Sequence, residues 1–143
     1  MTTYHLFGVR MEVDEEATRA WYAKAAKWGC ECGHCRNFLA IAAAEKLPSP
    51  VLETLSILGI PPEKATYVCQ LYPTDMGNCY QFSYRIAGSM LNTDETSPMP
   101  YDWGTGGCTH EVYPYGAPDF PTPHFDLEFF ADLPWVLEEP ENP

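Results

Sequence analysis

Cations are scarce in this chain. Eight lysines and arginines stand against 20 aspartates and glutamates, for a net charge of −12 over 143 residues. A nucleic-acid partner needs clustered cations to displace the counterions along its phosphates. No such cluster occurs, so nucleic-acid binding is not expected. An anionic membrane surface is disfavoured on the same ground. Long apolar runs are missing too: none approaches the ~20 residues that span a bilayer. The opening residues "MTTYHLFGVRMEV" lack a basic segment followed by an apolar stretch, so no secretory signal is expected and the cytoplasm is the expected compartment. There is no Gly-x-Ser-x-Gly, no phosphate loop and no dinucleotide fingerprint. The glycine-rich "GTGG" at 104–107 is followed by neither Lys-Ser nor Lys-Thr. Internal repeats and linkers are also lacking.

What is present can build a core. The chain is 45% hydrophobic and 14% aromatic. Its length fits one domain, residues 1–143, which should bury roughly 70% of the unfolded chain's surface. Such a core need not depend on disulfides or metal. Six cysteines in a reducing compartment are then expected to be free, metal-bound or catalytic rather than paired.

Strand alternation over residues 5–13 puts Phe7, Val9, Met11 and Val13 on one face. Asp14 is placed to cap a helix with Glu15 and Glu16 in its first turn. Ala17, Trp21, Ala25 and Trp28 would form its apolar face, and Gly29 its end. A second helix is expected from about Cys35 to Lys46. A third starts at Ser49 and Pro50 and stops at Gly59, with Ile60 folding back. "TYVCQLY" (66–72) and "CYQFSYRIAG" (79–88) flank a turn-rich link and read as a hairpin, with Tyr80, Phe82, Tyr84 and Ile86 on one face. Residues 89–109 read as a long irregular loop. "HEVYPY" reads as a short edge strand limited by Pro114. "HFDLEFFADL" (124–133) alternates Phe125, Leu127 and Phe129 inward with Asp126 and Glu128 outward. Trp135 and Leu137 pack, and residues 138–143 fray as an acidic tail. The fold class is therefore α+β: a mostly antiparallel sheet of four to five strands, with two to three helices on one face.

The densest chemistry is "WGCECGHCRNF", Trp28 to Phe38. Cys30, Cys32 and Cys35 put three soft donors within reach of one zinc ion. The complementary half-site would come from Cys108 or His110, beside Gly106 and Gly107; Cys69 and Cys79 are further candidates. His34 should point away from the pocket shared by its neighbours. A second reading is redox: a thiolate at a helix N-terminus is stabilised, which would activate Cys32. A third is inert: the three thiols are simply buried at a helix-to-helix junction, with Arg36 and Asn37 bonding backbone carbonyls.

Two local resemblances bear on this choice. "CGHCRN" resembles the active-site segment of protein disulfide isomerases and their thioredoxin-like relatives, which implies Cys32 as nucleophile and Cys35 as resolving thiol. Cys30, Cys32, Cys35 and Arg36 resemble the zinc segment of the glutathione-dependent formaldehyde-activating family, Cys-x-Cys-x-x-Cys-Arg. That likeness covers the thiolate segment alone. The overall plan looks like small uncharacterised bacterial proteins with a Cys-x-Cys-x-x-Cys-Arg-Asn-Phe segment and a Leu-Pro-Trp-Val-Leu ending, a likeness that implies no particular activity.

Tyr101, Trp103, Tyr113 and Tyr115 crowd a Pro- and Gly-rich region, and such aromatics suit a binding surface or a homodimer contact. His124 and Asp126 would share a strand face and form a charged surface pair, whereas His110 and Glu111 would face opposite ways. The expectation is a small binding or interaction protein rather than an enzyme, with an unidentified protein or small-molecule partner. Zinc is its candidate cofactor, held at the Cys30–Cys32–Cys35 cluster. The alternative is a thiol–disulfide oxidoreductase using Cys32 and Cys35.

Overall fold

Two consecutive residues with left-handed backbone, Phe7 (φ 52°) and Gly8 (φ 77°), divide the first apolar stretch. A two-residue turn of this kind matches the twist of antiparallel strands. The single strand expected over 5–13 is therefore a hairpin, β1 (Thr2–Leu6) and β2 (Val9–Val13). The computed structural model that shows this describes residues 1–93 and 98–141. Residues 94–97 of the expected loop, and 142–143 of the expected frayed tail, lie outside the described residues.

Three helices follow. α1 (Glu15–Lys24) is capped by Asp14, whose side chain accepts from the Ala17 amide. It stops at Ala25 in extended backbone, short of Gly29. Its buried face is Thr18 and Tyr22, one position round from the expected face. The reason is polar: the Tyr22 hydroxyl donates to the Arg85 carbonyl (2.7 Å), and Thr18 Oγ1 accepts from the Ala87 amide (3.1 Å). α2 (Gly33–Ala43) starts at Cys32 and buries Phe38, Ile41 and Ala42. α3 (Ser49–Leu58) has Pro48 at its cap rather than Ser49. Gly59 ends it in the left-handed region (φ 73°), and the Ile60 amide donates to the Leu55 carbonyl as the chain folds back.

The sheet has seven strands, more than the four to five expected. β3 (Tyr67–Thr74) and β4 (Gly77–Thr93) form the expected hairpin, with β4 running beyond it. β5 (Met99–Tyr101) and β6 (Gly104–Thr109) occupy much of the stretch read as a loop. β7 is His124–Leu133. The order is β1-β2-β4-β7-β6-β5, with β3 also paired to β4, and every pairing is antiparallel.

Glycine-rich β6 carries little strand propensity of its own. It is a strand because it lies between β5 and β7 and because its small residues leave room for a neighbour. A Cβ on Gly106 would come within 2.7 Å of the Phe7 ring, which packs on Phe129 beneath it. "HEVYPY" forms no strand. It belongs to an irregular segment in which Tyr113 stacks on Tyr67 at 3.6 Å between ring centroids.

One face of β4, Tyr80, Phe82, Tyr84 and Ile86, meets the buried side chains of the helices and β7 in a single core. The expected inward set of β7, Phe125, Leu127 and Phe129, lies in it. The other face is covered around Arg85 and Asp126. Asp126, expected outward, is 0% exposed and accepts from Arg85 Nε at 3.0 Å. Arg85 Nη2 also donates to the Tyr113 carbonyl (2.6 Å), which joins the pair to the overlying segment.

Burial pushes the Asp126 carboxyl above its ordinary 3.8, against the pull of Arg85. A folded-state value above the unfolded one means that the folded protein holds this proton more tightly. That contribution is complete below the unfolded value and is lost as pH rises through the raised one. Removing the guanidinium raises the folded value further. Arg85→Ala should thus cost about 3–5 kcal/mol near neutral pH, because it strands a buried charge. The deficit should shrink as pH falls towards 4 and Asp126, raised by burial, takes up its proton. Arg85→Met with Asp126→Leu should recover much of the loss. Urea unfolding of the three proteins at both pH values checks this, and a deficit that does not change with pH would contradict it.

Candidate metal centre

Extended backbone links α1 to α2, and it brings three thiols together. Cys30 and Cys32 lie in this link and Cys35 in the first turn of α2. Their sulfurs all lie within 4.8 Å of one another. Cys30 and Cys32 are exposed and Cys35 is buried.

Local geometry follows from the helix start. The first amides of a helix lack intrahelical partners. Cys32 supplies one as the N-cap: its Sγ accepts from the Cys35 amide at 3.4 Å. Cys35 Sγ in turn accepts from the indole N–H of Trp28 at 3.2 Å. Burial works to raise the Cys32 thiol. Hydrogen bonds from the Cys35 backbone, the Cys35 and Cys30 side chains and the His34 backbone outweigh it, so its pKa falls below the ordinary 9.0. Burial pushes the Cys35 thiol up to about 12, with the Trp28 bond opposing. One exposed, acidified thiol and one buried, resistant thiol thus sit three residues apart.

The junction is held from both sides. Arg36 Nε donates to the Glu31 carbonyl (3.0 Å), and its guanidinium forms an ion pair with Glu139. Asn37 is fully buried. Its amide donates to the Tyr80 hydroxyl (3.1 Å) and the Pro134 carbonyl (3.0 Å), and its oxygen accepts from the Val136 amide (2.8 Å). Arg36 and Asn37 are junction residues, as expected. His34 Nδ1 meets the Tyr80 hydroxyl at 3.1 Å and the ring packs edge-on to Trp135, so it takes no place among the thiols. The expected frayed tail is tied down over its described part: the Trp135 indole donates to the Glu139 carbonyl, and Asn78 donates to Glu141. A cavity of about 400 Å³ opens beside Cys32, lined by His34, Gln70, Trp135 and Glu139 among others.

The expected second half-site does not assemble. Among the described residues, the close donor group is Cys30, Cys32 and Cys35 alone. Cys108 is held in β6, where burial pushes its thiol up to about 12, and His110 lies exposed just beyond that strand. Sheet pairing with β7 commits Cys108, opposite Leu127, and neither it nor His110 joins the thiol cluster. Cys79 is buried in β4, and Cys69 points its thiol at the Gln70 carbonyl (3.4 Å).

The aromatic set also divides. Tyr101 and Trp103 stack at 5.2 Å with Phe7 edge-on to each. Tyr113 stacks on Tyr67 instead, and Tyr115 is 84% exposed. His124 Nδ1 turns to the Pro121 carbonyl while Asp126 bonds Arg85, so the two make no surface pair. Sequence reasoning missed Trp28 as the partner of Cys35 and missed Tyr80, Glu139 and Glu141 at the junction. Trp28 was visible only as part of a helix face, and the other three lie far along the chain with no spacing signal.

Three thiolates around a zinc ion at ~2.3 Å stand ~3.8 Å apart in tetrahedral geometry. The observed cluster needs to close by at most about an ångström, within reach of a rotamer adjustment of two exposed side chains. The same sulfurs can also exchange with a disulfide, with Cys32 attacking and Cys35 behind it. In either case reactivity should be graded. Brief alkylation with iodoacetamide at neutral pH, read by mass spectrometry, should label Cys32 well before Cys35 and Cys108. Equal labelling of Cys32 and Cys35 would show that the cap geometry does not govern the thiols.

The chain matches no protein-family model, no curated protein and no solved structure.

Proposed function

We propose that this is a small binding protein that holds a thiophilic metal ion, zinc first among them, through Cys30, Cys32 and Cys35. The observation that carries this reading is the mutual approach of the three sulfurs within 4.8 Å. Three protein ligands leave the fourth tetrahedral position for water or a donor from a partner, as in open zinc sites. The metal staples the junction between α1 and α2 and adds to a core that stands without it. A reducing compartment suits this role, because the thiols stay free there.

Metal analysis of the purified protein tests the reading. About one zinc per chain is expected, lost in Cys32→Ser with Cys35→Ser. Far-UV circular dichroism should change little when the metal is chelated. The decisive failure would be metal-free protein that also shows no thiolate-to-metal charge-transfer band on adding Co(II).

A second reading is supported by the cap geometry: disulfide exchange. The Cys32 thiolate attacks a substrate disulfide and releases one substrate thiolate, forming a mixed disulfide. Cys35, deprotonated as it reacts, attacks Cys32 Sγ and releases the second. The substrate is reduced and the protein is oxidised to a Cys32–Cys35 disulfide. Insulin reduction by metal-free protein in the presence of dithiothreitol, abolished by Cys32→Ser, would favour this chemistry over metal binding.

A further inference from the structure

A second concave site lies behind the thiol cluster, where the end of α1 faces the irregular segment around Pro118. It encloses about 540 Å³, within the range of small-molecule sites. Trp21 and Trp28 line it together with Ala25 and Ala65, so its surface is largely apolar. Both indoles are held in place. The Trp21 N–H donates to the Pro118 carbonyl at 2.9 Å, and its ring packs on Tyr22 and Phe120 at 4.9 Å between centroids. The Trp28 N–H donates to Cys35 Sγ, and its ring meets Tyr67 edge-on. Their polar atoms are satisfied within the protein, which leaves apolar ring surface for a ligand at little ordering cost.

Charge gives the site its chemistry. Lys24 and Lys27 line it, in a chain with only eight lysines and arginines. Neither has an ion-pair partner among the described residues. Other cations are engaged: Arg85 with Asp126, Arg36 with Glu139, and Lys64 with the Tyr22 carbonyl. Asp119 is the single acid in the lining, so two positive charges face one negative. In a protein of net charge −12, such a local reversal favours an anion over a cation.

We infer that the cleft formed by Trp21, Trp28, Lys24 and Lys27 binds a small aromatic carboxylate, its ring on the indoles and its anion at the two ammonium groups. This site is independent of the metal reading, since no thiol takes part in contacting the ligand.

Isothermal titration calorimetry with naphthalene-2-carboxylate tests it. The buffer contains EDTA, so that a carboxylate held by a thiol-bound metal contributes nothing. The acid should bind at least about tenfold more tightly than naphthalene-2-carboxamide, and its affinity should fall as salt screens the lysines. Lys24→Gln with Lys27→Gln, both on exposed positions, should remove about tenfold of that affinity. Lys46→Gln, outside the cleft, should leave it unchanged. The inference is overturned by absence of binding at millimolar acid, by equal affinity for acid and amide, by a preference for 2-naphthylmethylamine, or by an unaltered double variant. None of these results bears on whether the cysteines hold zinc.

Discussion

The antiparallel ladder between β4 and β7 is the constraint on which the rest of this structure depends. It runs without a register shift from Asn78 opposite Leu133 to Ala87 opposite His124. Along it, Tyr80, Phe82, Tyr84 and Ile86 alternate inward on one strand while Phe125, Leu127 and Phe129 do so on the other. A two-strand face this rich in aromatic surface cannot stay in water, and burying each such side chain contributes roughly 1.5–3 kcal/mol. The helices cover it. The opposite face is buried around Ser83, Arg85 and Asp126, and there the ladder places Arg85 directly across from Asp126. A slip of one residue would exchange the two faces and separate that pair from its setting, so hydrophobic alternation and buried charge specify the same register.

The ladder also positions the thiols. Tyr80 belongs to the core strand, yet its hydroxyl reaches the surface layer and meets both His34 and Asn37. Asn37 then grips the chain just beyond β7 through Pro134 and Val136. The start of α2 is thus bonded to both members of the ladder. Cys35, buried in the first turn of α2, inherits a fixed placement from it, while the exposed side chains of Cys30 and Cys32 lie beside it. Trp28 extends the arrangement in the other direction: its N–H touches the buried thiol and its ring lines the neighbouring cleft.

With so few cations, each placement matters. Arg85 offsets the one carboxylate that is wholly inside among the described residues, Arg36 fastens the tail, and Lys24 and Lys27 face a concave apolar surface. Most of the other described acids are exposed to solvent, where high dielectric makes mutual repulsion small. The lysine-lined cleft is a local exception to that excess.

Residues close in sequence determined much by themselves. Asp14 caps α1 because its side chain reaches an amide three residues on, and Gly59 ends α3 because it enters the left-handed region without strain. The inward alternation of β4 and β7, the α+β class and the proximity of Cys30, Cys32 and Cys35 follow from equally local patterns. Tertiary structure decided the rest. Phe7 and Gly8 turn a strand into a hairpin and put an aromatic ring over Gly106, which makes a strand of residues with no preference for one. Asp126 is inside because a distant segment lies over it. Cys108 is absent from the thiol cluster because its strand is committed to β7. Glu139, Glu141 and Tyr80 meet α2 across separations of up to about a hundred residues. Caps and periods act over a few residues and leave a signature in the sequence. Pairings between distant residues form only when the whole core closes, and their partners carry no mark of one another before then.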